Sequence, residues 1–255
     1  MSSPLHGKGV LITRPVRQAA ALAGKIAAVG GEPVIFPAIV ILPPDDASAL
    51  QQAHDGLQRY DYAVFVSANA VEFGAPDPRR WPSSLVAFAP GPGTAEALAG
   101  VGIHQVHIPS ERMDSEGLLA LRELTDVAGK RVLIFRGDGG REALAQTLRA
   151  RGATVDYVTC YRRARPSDAR GLDEAFAASR IQAVTITSSE GLDNLWSLVA
   201  PATRTRWARM PTFVPHERIA THARALSLDV ILTGPGDAGL IAALLEWSQH
   251  SRRES

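Results

Sequence analysis

The chain has 255 residues, enough for one large domain or two of ordinary size, and its 45% hydrophobic and 21% charged content is that of a folded globular protein. A formal net charge of +1 gives no bulk attraction to nucleic acid or to a membrane surface, so neither is expected as a partner. The single cysteine, Cys160, excludes an internal disulfide and a cysteine-based zinc site, and a reducing, cytoplasmic location is expected. "MSSPLHGKG" lacks the apolar core of a secretory leader, and no apolar run reaches the roughly 18 residues that span a bilayer.

Taken in chain order, 9–13 ("GVLIT") reads as a short buried strand. "PVRQAAALAGKIAAVGG" follows as a helix with Leu22, Ile26 and Val29 on one face and Gly30 as its C-cap. "EPVIFPAIVILPP" is extended and stopped by proline. Further strands are predicted near 63–67, 85–88 and 104–108. At Lys130 the phrase "KRVLIFRG" then repeats the "KGVLITRP" of Lys8, 122 positions on. A helix, "GREALAQTLRARG", follows again, with Leu144 and Leu148 on one face and Gly152 closing it, also 122 positions after its counterpart. "ATVDYVTCYRRARP" is the second extended stretch, and strands near 183–187, 210–214 and 230–233 complete the pattern.

The repeat continues beyond the first phrase. "DYAVFVSANAVEFG" matches "QAVTITSSEGLDNL", with Ser67 on Ser188; "APGPGTAEAL" matches "VPHERIATHA"; "SEGLLAL" matches "DAGLIAA", with Gly117 on Gly239. Across all the matches the offset stays between 121 and 125. Matches in one order argue for two copies of one unit. Short apolar runs alternating with helical ones mean parallel strands covered by helices, so the predicted fold is α/β: two similar doubly wound parallel-sheet lobes.

Ligands of such sheets sit beyond the carboxyl ends of the strands. Here those ends read "TRP", "VSAN", "APGPGT", "FRGDGG", "TSSEG" and "VPHER". Small residues let backbone N–H groups face an anion. The candidate donors are therefore Arg14, Ser67, Ala68, Asn69, Gly91, Thr94, Gly137, Thr187, Ser188 and Ser189. The hydroxyl and amide side chains among them also suit helix N-caps, and both roles are compatible. Arg14 and Arg136 hold the same place in the two copies, either as carboxylate partners or as scaffolding. Tyr161, in "CYRRARP", is either a proton donor to a leaving group or a tyrosine packed at a lobe junction, while Arg162, Arg163 and Arg165 read as a solvated face. "GIHQVHIP", read as a strand, sends His104 and His107 to opposite faces, and no metal site is expected. "RGDGGREAL" lacks both nucleotide-loop spacings and reads as an anion-friendly turn, and the missing G-x-S-x-G elbow speaks against a serine hydrolase.

Together, "VLITRP", "FVSANAV", "GPGTAEAL", "VLIFRGDGGREAL", "TCYRRARP", "TITSSEGLDNL" and "VPHERIATHA" resemble the uroporphyrinogen-III synthase family, from about Val10 to Leu245. The resemblance implies a crossed arrangement: one lobe of 1–36 plus 167–255, another of 43–156, and a two-stranded β linker of 37–42 and 157–166. The repeat alone would instead cut the chain near 128. It implies a cytoplasmic, monomeric enzyme without cofactor. That enzyme would cyclise hydroxymethylbilane, a linear tetrapyrrole polycarboxylate, with loss of water and inversion of the last ring. By resemblance, Tyr161 assists loss of the hydroxyl. Ser67, Thr94, Ser188 and the "HERIA" segment (His216, Arg218, Ile219 and Ala220 within it) contact substrate. Pro90 and Ile219 depart from expectation, the first from the family's usual aliphatic residue, the second from the hydroxyl that Thr94 supplies in the other copy. Two other readings compete: a two-lobed protein that binds a small anion without catalysis, and a nucleotide-dependent enzyme using "RGDGGR".

Overall fold

The computed structural model describes residues 4–139 and 142–253, so Gly140 and Arg141 of the "RGDGGREAL" turn lie outside the described residues. In chain order the strands are β1 (Gly9–Ile12), β2 (Glu32–Ile35), β3 (Val40–Leu42), β4 (Tyr62–Phe65), β5 (Val86–Phe88) and β6 (Val106–His107). They continue as β7 (Arg131–Gly137), β8 (Thr154–Ala164), β9 (Ala183–Thr185), β10 (Pro211–Val214) and β11 (Asp229–Leu232). Each predicted strand is present. The one beginning near 104 is much shorter than its pattern suggests, and His104 lies before it, so the opposite-face argument for His104 and His107 does not apply. His107 instead meets Glu123 at 3.1 Å.

The chain divides into two units, 1–40 with 164–255 and 41–163. The first holds a sheet in the order β11-β10-β9-β1-β2, parallel throughout. The second holds β3-β8-β7-β4-β5-β6, with parallel pairing from β8 to β6. Residues 40–42 and 154–164, which include parts of the expected linker strands, are neighbours in this second sheet.

The repeat is visible in the registers. Gly9 faces Glu32 across β1 and β2, and Arg131 faces Thr154 across β7 and β8, each 122 positions later. Val10 faces Ala183, as Val132 faces Tyr62. Thr212 faces Val184 and Val230, as Ala87 faces Ala63 and Val106. Hence β1, β2, β9, β10 and β11 correspond to β7, β8, β4, β5 and β6. The two copies have exchanged parts. Because β1 pairs with β9 and β7 with β4, the units are not two consecutive blocks cut near 128.

Burial follows from helices on both faces of each sheet, which leave central strands with continuous apolar runs. All four residues of β1 and of β10 are buried. In the first unit Leu11, Val184 and Val214 pack with Phe176, Leu195 and Trp207, while Val10, Ile12 and Phe213 pack with Leu22, Ile26 and Leu244 on the other face. In the second, Phe65 and Phe135 stack with centroids 4.2 Å apart on one face, and Val64, Val132 and Ile134 meet Leu144 and Leu148 on the other. The helices Val16–Ala28 and Ala143–Ala150 end alike. Gly30 (φ 79°) and Gly152 (φ 89°) take the left-handed conformation at C′, where glycine carries no Cβ penalty.

Candidate functional site

In the second unit, the carboxyl ends of β4, β7 and β8 surround a cavity of about 240 Å³ whose wall includes Ser67, Arg136, Gly137, Asp138, Tyr157 and Tyr161. Ser67 follows β4 in extended backbone (φ −164°) and caps the helix Ala68–Gly74: its Oγ accepts the Ala70 N–H at 3.1 Å. Ala68 and Asn69 are the half-buried first residues of that helix.

Tyr161 reaches the cavity through an irregularity in the β7–β8 pairing. The register shifts between Arg136 and Gly137, so that Gly137 faces Tyr161. A Cβ at Gly137 would lie 2.5 Å from Tyr161 Cε2 and 3.0 Å from its Oη, so only glycine lets the ring lie there. The tyrosine is 4% exposed, and its Oη is 3.2 Å from Ser67 Oγ. Its neighbour Cys160 is fully buried, and burial pushes the thiol up to about 12. A thiol so hard to ionise is not a nucleophile.

Arg136 is held from several sides. Its Nε donates to Gly139 O at 3.1 Å, its Nη1 to Glu142 Oε1 at 2.8 Å, and its guanidinium lies 4.6 Å from the Tyr157 ring centroid. Tyr157 Oη donates to Glu142 Oε2 at 2.6 Å. The Tyr157 hydroxyl, then Arg136, hold the Glu142 carboxyl below its ordinary range. Sequence reasoning missed Asp138. Its N–H donates to Tyr161 O and its Oδ1 accepts the Arg163 N–H, both at 2.9 Å, tying the turn to β8. The Asp between glycines in "RGDGG" was the available signal.

Gly91 and Thr94 sit at the end of β5, away from the wall of this cavity. Gly91 is the extended N-cap of the helix Pro92–Gly100, and Thr94, buried in its first turn, donates its N–H to Gly91 O at 3.2 Å.

The first unit has a second cavity, about 340 Å³, at the ends of β1, β9, β10 and β11, with Arg14, Thr185, Thr187, His216 and Thr233 in its wall. Ser188 caps the helix Ser189–Leu198, as Ser67 caps its own: Oγ accepts the Gly191 N–H at 3.0 Å, and Ser189 opens the helix. Thr185 Oγ1 donates to Leu11 O at 2.8 Å and Thr13 Oγ1 to Thr185 O at 2.6 Å, so those two hydroxyls lock β1 to β9. His216 and Arg218 are exposed at the start of the helix Glu217–Ala225. Ile219 and Ala220 point the other way. Both side chains are buried in the core, and both N–H groups bond to His216 O, because this face of the helix packs on the sheet.

Arg14 Nη1 meets Asp237 Oδ1 at 2.5 Å, and Lys25 Nζ meets Asp237 Oδ2 at 2.7 Å. The repeat sets Asp237 opposite Ser115, which lines the other cavity, so the position was legible although its role as partner to Arg14 was not. The Lys25 hydrogen bond, then that of Arg14, hold the Asp237 carboxyl below its ordinary range. A carboxyl depressed on folding stabilises the native state above its unfolded pKa, and that gain disappears as pH falls through the folded value. Asp237→Asn is therefore expected to cost about 1 kcal/mol at pH 7. Urea midpoints of the two proteins should converge as pH is lowered through the carboxylate range. A constant difference down to strongly acid pH would show that the cost lies elsewhere.

Among the described residues, no three or more His, Cys, Asp or Glu side chains gather as a metal-binding group, and no helix is long and apolar enough to cross a membrane.

Residues 20–241 match the family model described as uroporphyrinogen-III synthase HemD. The chain is 38% identical over 227 residues to the uroporphyrinogen-III synthase of Salmonella typhimurium and 36% identical over 224 residues to that of Escherichia coli, in each case spanning 85% of this chain and 91% of the relative. Its fold is shared with the crystal structure of uroporphyrinogen-III synthetase from Helicobacter pylori (TM-score 0.58, 11% identity, 96% of this chain and 99% of that one). It is shared also with a mutant uroporphyrinogen III synthase from Thermus thermophilus (TM-score 0.52, 16% identity, 97% of this chain and 100% of that one). The matched segment takes in the whole wall of the second unit's cavity and the Ser67–Tyr161 contact, and on that extent of likeness the chain belongs to the uroporphyrinogen-III synthase family.

Proposed function

We infer that this chain catalyses the reaction for which its family is named, cyclising hydroxymethylbilane to uroporphyrinogen III as a monomeric, cytoplasmic carbon–oxygen lyase. The terminal C–O bond breaks and the hydroxyl leaves as water, which leaves an azafulvene cation. That cation is captured by the last pyrrole ring through a spiro intermediate, and the ring ends inverted. Without an enzyme the chain closes uninverted to isomer I, so much of the task is to hold a reactive chain in one shape.

The observation that carries the chemical assignment is the hydroxyl pair at the cavity wall, Ser67 Oγ and Tyr161 Oη 3.2 Å apart. Tyr161 gives its proton to the departing hydroxyl, and the proton that the last ring loses on closure restores the phenol, so protons balance over a turnover. Carboxylates of the substrate are held by donors at the strand ends. In the second unit these are Ala68, Asn69, Gly91, Thr94 and Gly137; in the first they are Arg14, Thr187, Ser188, Ser189, His216 and Arg218. A protein that only bound a small anion would need neither the phenol nor its serine partner.

The test is the product. Hydroxymethylbilane is generated in situ, the protein is added, and the oxidised products are separated as isomers. Predominant isomer III is expected. Isomer I alone, at the rate seen without protein, would reject the reading.

A further inference from the structure

The two units carry the same capping serine but not the same neighbour for it. Ser67 and Ser188 each accept an N–H three residues on, at 3.1 and 3.0 Å. The shared register puts Tyr161 on Ile39 and Gly137 on Pro15. Capping explains a serine in both units. It does not explain a phenol laid against one of them, nor a glycine whose missing Cβ makes room for that phenol. The contact belongs to one copy of the repeated unit and not to the other, and it lies at a cavity wall.

A serine hydroxyl has one proton and two lone pairs. At Ser67 a lone pair takes the Ala70 N–H, which fixes the oxygen in place on the helix end. Its proton and a second lone pair remain for Tyr161 Oη, 3.2 Å away, so either oxygen can donate; when Ser67 donates, the phenol is free to turn its own O–H toward the cavity. We propose that Ser67 is a positioning residue for Tyr161, acting on turnover through the phenol rather than by holding substrate; this rests on the activity inferred above. The step balances: the Tyr161 O–H bond breaks as its proton bonds the leaving hydroxyl, the C–O electron pair departs with water, and the phenolate left behind accepts the Ser67 O–H until ring closure returns the proton.

The test is a double-mutant cycle on the full chain, with kcat and KM measured from isomer III formed. Ser67→Ala is expected to lower kcat about 5-fold with KM unchanged, the worth of one neutral hydrogen bond. Ser67→Thr, which keeps both cap and hydroxyl, should stay within about 2-fold of wild type by the same reasoning. Ser67→Gly is tolerated at a helix N-cap and has no side-chain donor, so it should fall as alanine does; it serves if the alanine variant does not fold. The decisive protein is Ser67→Ala with Tyr161→Phe. If Ser67 works through the phenol, this double variant turns over within about 2-fold of Tyr161→Phe alone. Losses that multiply, an effect on KM alone, an unchanged kcat in Ser67→Ala or Ser67→Gly, or an unchanged kcat in Tyr161→Phe would each overturn the proposal. Wild-type protein that yields only isomer I overturns the inferred activity instead. Wild-type isomer III with multiplying losses overturns only the role of Ser67.

Discussion

Tyr161→Phe is expected to lower kcat by about 10- to 100-fold, at or below the low end of the 10²- to 10⁴-fold a positioned general acid typically contributes, while leaving the fold intact. The size follows from the leaving group. Hydroxide departs poorly and water departs well, but an electron-rich pyrrole already pushes the C–O bond apart, so the acid assists rather than enables. The fold should survive because the ring keeps its place against Gly137 and Phe73 and only a part-buried hydroxyl contact is lost. That contact is worth about 1 kcal/mol. Because uncatalysed closure gives isomer I, the share of isomer I at fixed time should rise as kcat falls. Turnover near wild type in a folded Tyr161→Phe protein would remove the phenol from the mechanism.

The second large effect is on stability. Gly117 and Gly239, which the repeat aligns, both lie in the first turn of a helix against the loop that feeds it. A Cβ at Gly117 would collide with the Arg112 carbonyl, and one at Gly239 with the Gly234 backbone. Neither obstacle is a flexible side chain, so the loop itself must move. Each glycine-to-alanine change is expected to cost about 2–3 kcal/mol, the upper range for overpacking, read as a lower urea midpoint. Gly24 supplies the contrast. It lies inside the helix Val16–Ala28 with nothing within 4 Å of a built Cβ. There alanine should raise stability by about 0.5–1 kcal/mol through helix propensity. An unchanged midpoint in Gly239→Ala would show that the Gly234 loop shifts freely.

Much of the site was legible because its parts are local. Ser67 and Ser188 follow apolar strand runs and precede helical ones, so their capping role needs only short-range pattern. The pairing of Ser67 with Tyr161, 94 positions apart, was not legible. It depends on a register shift at Arg136 and Gly137 that no periodicity encodes. Arg14 in "TRP" reads equally as a carboxylate partner or as scaffolding, and the carboxylate it meets, Asp237, is 223 positions on. The burial of Ile219 and Ala220 was not legible either, because helix phase, set by packing on the sheet, turns them into the core.

The sequence by itself determined which segments are strands, which are helices, and that the whole is one pattern written twice. Those properties rest on residue-to-residue periodicity and on glycine conformations, which are local. Only the tertiary structure decided which copy pairs with which. Each strand announces by its apolar run that it is buried, but the copies carry the same runs, so β1 suits β4 and β9 equally by pattern. The observed exchange sets β1 beside β9 and β7 beside β4, and with β7 comes β8, which brings Tyr161 to the end of β4 and to Ser67.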